Sequence, residues 1–155
     1  MALLLLAGCG DGGSPEERLI RGPGYAFAAP GDWSVSRRAR EVRAEQGLTV
    51  VSVARFELAR AVRPELSPQV VKELDRAAEA VATQQRGEVT DPRTVTIAGL
   101  RARRYDIRYE GGGKGLVQRI AFVLRGKREY LLLCRYELGG DTRACERLLA
   151  TFRLT

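Results

Sequence analysis

Apolar residues recur along the chain with two periods, and each change of period marks an element. Tyr25-Ala26-Phe27-Ala28 is a short alternating strand, Pro30-Gly31-Asp32 is turn chemistry, and Trp33 to Ser36 resumes an extended segment. From Leu48 to Leu58 the period is two. Leu48, Val50, Ser52, Ala54, Phe56 and Leu58 share one face; Thr49, Val51, Val53, Arg55 and Glu57 share the other. At Ser67-Pro68 the period lengthens. A serine hydroxyl can accept from an unpartnered backbone N–H at a helix start, and proline suits the first helical position. Val70, Val71, Leu74, Ala77, Ala78 and Val81 then recur at helical spacing, with Lys72, Glu73, Arg76 and Glu79 opposite. Gly87 is expected to end this helix, and Asp91-Pro92 to break the chain after it.

Beyond that break the period returns to two. Thr94 to Ile97 reads as a strand and Ala98-Gly99 as a turn. Arg101 to Tyr109 is a strand with Tyr105, Ile107 and Tyr109 on one face and Arg104, Asp106 and Arg108 on the other. Gly111 to Gly115 reads as a hairpin loop. Leu116 to Leu124 and Glu129 to Tyr136 are two more strands, joined by Arg125-Gly126-Lys127. Both are apolar on both faces, so the sheet should be covered on two sides. Asp141 to Thr151 reads as a final helix with Leu148, Leu149 and Phe152 turned inward. Strands, helix, four strands and helix in this order predict an α+β fold, a mainly antiparallel sheet with helices on its faces.

The N-terminus carries a different signal. Ala2 to Ala7 is too short to span a bilayer, which takes about 20 apolar residues, but it suits the end of a signal-peptide apolar region. Leu6-Ala7-Gly8-Cys9 resembles the lipobox of bacterial lipoproteins. That resemblance implies a lipid-bearing Cys9 and a cell-membrane location on the extracytoplasmic face. No Lys or Arg precedes the apolar run, so the expectation is a signal peptide truncated here; the alternative is an N-terminal strand or a chance apolar start. Gly10 to Glu17 is small, polar and glycine-rich, the composition of a flexible tether. The expected organisation is therefore a truncated signal peptide and lipobox over 1–9, a tether over 10–23 and a single domain over 24–155.

The chain has three cysteines. If lipid consumes Cys9, Cys134 and Cys145 remain as a pair, one ending an apolar strand and the other in the helix that follows. An exported location would permit a disulfide between them. The alternative is two separate buried thiols. The spacing is not that of a zinc ribbon or a dithiol redox motif.

A second resemblance covers roughly residues 24–154. Gly24-Tyr25-Ala26-Phe27 running into Pro30-Gly31-Asp32-Trp33, then Val95-Thr96-Ile97-Ala98-Gly99, then the close on Thr151-Phe152-Arg153, together resemble the PsbP-like superfamily. The resemblance implies an α/β/α sandwich and non-catalytic binding. It carries over no functional residue and no particular ligand.

Composition mostly excludes. There is no histidine, which removes Ser-His-Asp and Cys-His catalysis and histidine metal sites. Gly111 to Gly115 lacks the Ser or Thr and the following helix of a phosphate loop. The reading is a protein without cofactor, metal site or catalytic residues. Trp33, Tyr105, Tyr109, Tyr130 and Tyr136 are read first as core or half-buried sheet positions and second as the lining of a cleft. The net charge is +7, carried almost wholly by arginine. The densest clusters, Arg37, Arg38 and Arg40, and Arg101, Arg103 and Arg104, are not runs, so solvated faces explain them and no nucleic-acid partner is expected. The expected function is a membrane-tethered binding or assembly module acting on another envelope protein. The rivals are a binder of envelope polyanions or lipid, and a carboxylate-based hydrolase, which would need two acids converging in one cleft.

Overall fold

The computed structural model describes residues 16–155. Cys9, the segment 1–9 and residues 10–15 of the expected tether lie outside the described residues. The elements in chain order are β1 (Glu17–Gly22), β2 (Tyr25–Pro30), β3 (Ser34–Arg37), β4 (Glu41–Gln46), β5 (Thr49–Val62), α1 (Pro68–Gln84), β6 (Glu88–Ile97), β7 (Leu100–Gly111), β8 (Lys114–Glu137), α2 (Arg143–Thr151) and β9 (Arg153–Leu154). They form a mostly antiparallel β structure with two helices, an α+β fold.

The larger sheet has the order β3-β4-β5-β8-β7-β6, and a smaller one the order β1-β2-β9. The extended segment β8 folds back on itself. Its first arm pairs with β7, with Phe122 opposite Arg103 and Lys114 opposite Gly111. Its second arm pairs with β5, with Arg135 opposite Val50 and Glu129 opposite Phe56. Leu138 N donates to Gly115 O at 2.9 Å across the two ends, which a straight segment would hold about 80 Å apart. Gly126, at φ 61°, stands at the reversal. The two strands expected at 116–124 and 129–136 are the arms of β8.

Because side chains alternate across a strand, the arms of β8 serve two cores. Val117, Val123, Tyr130 and Leu132 face one side, where Tyr25, Phe27, Leu148 and Phe152 of the small sheet and α2 cover them. Ile120, Phe122 and Leu124 face the other, where Leu74, Ala78 and Ala82 of α1 pack on them with Tyr105 and Ile107. Each large apolar side chain buried there contributes about 1.5–3 kcal/mol. Polar ties fix the layers. Tyr25 Oη donates to Val53 O at 2.7 Å, and burial pushes its phenol pKa up to about 12. Ala28 N donates to Thr151 Oγ1 at 2.9 Å.

Five local readings are corrected. The tether ends early, because Glu17–Gly22 pairs along β2 and sends Ile20 into the core, only 2 % exposed. β4 was not expected, although Val42 and Ala44 alternate inward between Glu41, Arg43 and Glu45. Asp91-Pro92 does not break the chain. β6 runs through it on a bulge, with Asp91 at φ 53°, and as an edge strand it tolerates the missing N–H. Gly87 is not the left-handed residue that ends α1; Arg86 takes that conformation at φ 53°. Gly87 is needed because a Cβ there would lie 2.3 Å from Arg108 O. On α1, Ala77 is exposed and Ala82 is buried in its place.

Candidate functional site

The structure places Cys134 and Cys145 at disulfide distance, with Cα atoms 5.4 Å apart. Both are buried in the core between the second arm of β8 and α2. The glycine loop is a tight hairpin turn, with Gly112 at φ 61° and Gly113 at φ 76°. Lys114 Nζ donates to Glu137 Oε2 at 2.8 Å, so it is not poised over a phosphate.

Tyr105, Tyr130 and Tyr136 are core residues, and Tyr109 is half-buried. Trp33 is buried as well, but one edge lines a cleft of about 370 Å³ with Glu17, Asp32, Asp141, Arg143 and Arg147. Three acids, Glu17, Asp32 and Asp141, therefore line one cleft, as the hydrolase alternative requires. Their chemistry points elsewhere. Glu17 pairs with Arg147. Asp32 accepts from Gln46 Nε2 at 3.3 Å. Arg143 holds Asp141 through two side-chain nitrogens and its backbone N–H, lowering the carboxyl pKa to about 2. A general acid needs the opposite shift.

The same pairing recurs on the sheet. Arg119 holds Asp106 through two bonds of 2.7 and 2.8 Å. Asp91 lies between Arg93 and Arg104, and the bond from Arg93 foremost lowers its pKa. Burial works against ionisation of Asp75, but bonds from Tyr105 and Arg103 outweigh it and hold the pKa below the ordinary value. Glu129 differs. It is half-buried with no side-chain partner among the described residues, and burial raises its pKa.

The opposite end of the molecule is built from turns. Arg55 Nη1 donates to Pro23 O at 3.2 Å, which joins β5 to the β1–β2 turn. Arg55 N donates to Arg40 O at 2.9 Å, which joins β5 to the β3–β4 turn. Val62 pairs with Gly126, which brings in the reversal of β8. Between them lies an open cleft of about 920 Å³ lined by Arg63, Glu65, Arg125, Lys127, Arg128 and Tyr130, among others. The sequence clusters separate here. Arg37, Arg38 and Arg40 are exposed at this end, while Arg103 and Arg104 are absorbed into ion pairs. No His, Cys, Asp or Glu group able to hold a metal occurs among the described residues.

No family model matches the chain, and no curated protein matches it. Among solved structures, a protein from Bacteroides thetaiotaomicron superposes with a TM-score of 0.64 at 11 % identity, covering 88 % of this chain. The chain spans about half of that protein, 48 %, and the likeness is one of fold alone. A protein of unknown function from Pseudomonas aeruginosa gives a TM-score of 0.43 at 16 % identity, covering 77 % of this chain and 81 % of its own. LpqN of Mycobacterium tuberculosis, involved in cell envelope biogenesis, gives 0.41 at 12 % identity, covering 94 % and 87 %. These two superpose too loosely to inform the site.

Proposed function

We propose that this protein is an extracytoplasmic binding module, exported and held at the cell membrane by lipid on Cys9, that engages another envelope component without catalysis. The carrying observation is the pair Cys134 and Cys145, buried together at disulfide distance. A bridge there suits an oxidising compartment and leaves Cys9, in Leu6-Ala7-Gly8-Cys9, as the third cysteine. The acid–arginine pairs favour binding over hydrolysis, since each acid in the Trp33 cleft is engaged and the one strongly shifted acid there, Asp141, is shifted downwards. The same reading takes the fold as PsbP-like, on the aromatic strand running into the Pro30–Trp33 turn and the closing helix.

Mass spectrometry of the protein purified from its native membranes tests this reading. A diacylglyceryl group on Cys9, and release of Cys9→Ser into the soluble fraction, are expected. An unmodified Cys9 in membrane-derived protein would overturn it. A second reading, anion binding, is favoured by the exposed arginines around the larger cleft.

A further inference from the structure

We propose that the end of the domain around the β1–β2, β3–β4 and β8 turns is a binding site for a linear phosphate polymer. Its orientation away from the anchoring membrane rests on the tether reading above; the site itself does not.

The charge is not evenly spread. Elsewhere several arginines sit against acids, Arg103 with Asp75, Arg119 with Asp106, Arg143 with Asp141 and Arg147 with Glu17, while others such as Arg76, Arg101 and Arg108 are exposed on separate surfaces. At this end only Arg55 and Arg128 do, both against Glu57, and a group of cations stands unpaired around them. Arg21 flanks the first turn, Arg38 and Arg40 form the second, Arg60 and Arg63 lead from β5 towards α1, and Arg125 and Lys127 flank Gly126. All are exposed, and among the described residues none lies within ion-pair distance of a carboxylate. Of the acids here, Glu57 is held by Arg55 and also faces Arg128, while Glu41, Glu65 and Glu129 are half-buried. Arg63, Arg125 and Lys127 line the open cleft of about 920 Å³.

The chemistry of the occupant follows. Cations on four separate chain segments, all exposed, make no enclosed pocket for one small anion. They suit a long ligand that contacts several at once. Arginine forks match phosphate oxygens in pairs and are weakly hydrated, so they give up water cheaply. Nucleobases would need exposed rings to stack on. The aromatic ring lining the cleft, that of Tyr130, is turned inward against Tyr25 and Phe152, with centroids 6.0 and 5.7 Å away. A membrane surface would be met by exposed apolar side chains. Those the fold exposes are elsewhere: Leu48 and Leu138 at the far end and Leu19 midway along β1. The described chain also enters at the far end, since Glu17 pairs with Pro30 beside the Trp33 cleft.

The test uses the full chain, with linear inorganic polyphosphate as probe and binding read by calorimetry. If about five phosphates are neutralised, raising salt from 50 to 200 mM should weaken binding about a hundredfold. The set Arg38→Glu, Arg60→Glu, Arg63→Glu and Lys127→Glu should weaken it roughly tenfold or more. The set Lys72→Glu, Arg76→Glu, Arg101→Glu and Arg108→Glu changes the net charge equally on other exposed surfaces and should have little effect. If the reversals unfold the chain, the corresponding glutamine set carries the comparison. Equal loss in both sets, binding that ignores salt, or polyglutamate or phosphatidylglycerol vesicles binding as tightly as polyphosphate would each overturn the proposal. Lipid on Cys9 is read separately by mass, so either reading can fail without the other.

Discussion

The hydroxyl of Tyr105 donates to Asp75 Oδ1 at 2.5 Å, and Arg103 Nε donates to the same oxygen at 3.0 Å. One acid on α1 thus accepts from two residues of β7, and this bond fixes the rotation of the helix over the sheet. Leu74, beside Asp75, is seated in the core by the same register.

Tyr105→Phe is expected to destabilise the fold by about 1 kcal/mol, less than a hydrogen bond to a charged group usually contributes, because Asp75 is partly exposed. Urea denaturation measures it. The carboxyl pKa is depressed in the fold. Its contribution is therefore present above the ordinary carboxylate pKa near 4 and is lost as pH falls through the folded value. The gap between variant and wild type should narrow below about pH 4.

Gly87→Ala should cost about 2 kcal/mol, since the new methyl meets the Arg108 carbonyl and the chain cannot give way. Arg86→Gly should be neutral or stabilise by up to about 1 kcal/mol, because Arg86 holds the left-handed conformation. Thermal melts in which Arg86→Gly clearly destabilises would overturn the placing of the helix end at Arg86.

Ile20→Ala is expected to cost about 2–4 kcal/mol. Ile20 packs in the core from β1. A neutral result would return residues 17–22 to the tether.

Cys134 and Cys145 are separated by 11 residues, a loop whose closure by a disulfide stabilises by about 3 kcal/mol on the chain-entropy model. Reduction should lower the denaturation midpoint accordingly. Mass spectrometry under non-reducing conditions should show the pair bonded; two free thiols in oxidised protein would sink this expectation.

Asp141 precedes α2, where its carboxylate accepts from the Arg143 backbone N–H at 2.9 Å and pairs with the side chain. With the carboxyl pKa lowered to about 2, this stabilisation holds above about pH 4 and fades towards pH 2. Asp141→Asn should flatten that part of the acid-unfolding curve, followed by circular dichroism.

What could be read from the chain was local. Ser67 accepts from Val70 N at 3.3 Å with Pro68 at the first helical position, as the capping pattern implies. Ala98 and Gly99, both at positive φ, form the turn expected between β6 and β7. The arms of β8 are apolar on both faces because two layers cover them. β4 is legible in principle, since Val42 and Ala44 alternate with charged neighbours, but Ala44 is small and the run short. β1 is not: among charged neighbours, Ile20 alone turns inward.

Sequence by itself determined the α+β class, the α1 start, the hairpin at Gly112-Gly113 and the cysteines that could pair, because each rests on neighbours along the chain. Tertiary structure alone decided the rest. Arg38, Arg60 and Lys127 are remote in sequence, and each is unremarkable in its own segment. They share one end because β5 pairs with both β4 and the second arm of β8, which brings their turns together. Pairing also decided which charges are spent. Of the other dense cluster, Arg103 and Arg104 are paired with Asp75 and Asp91 from other elements, while Arg101 stays exposed. Net charge is a property of composition, but unpaired charge is a property of the fold.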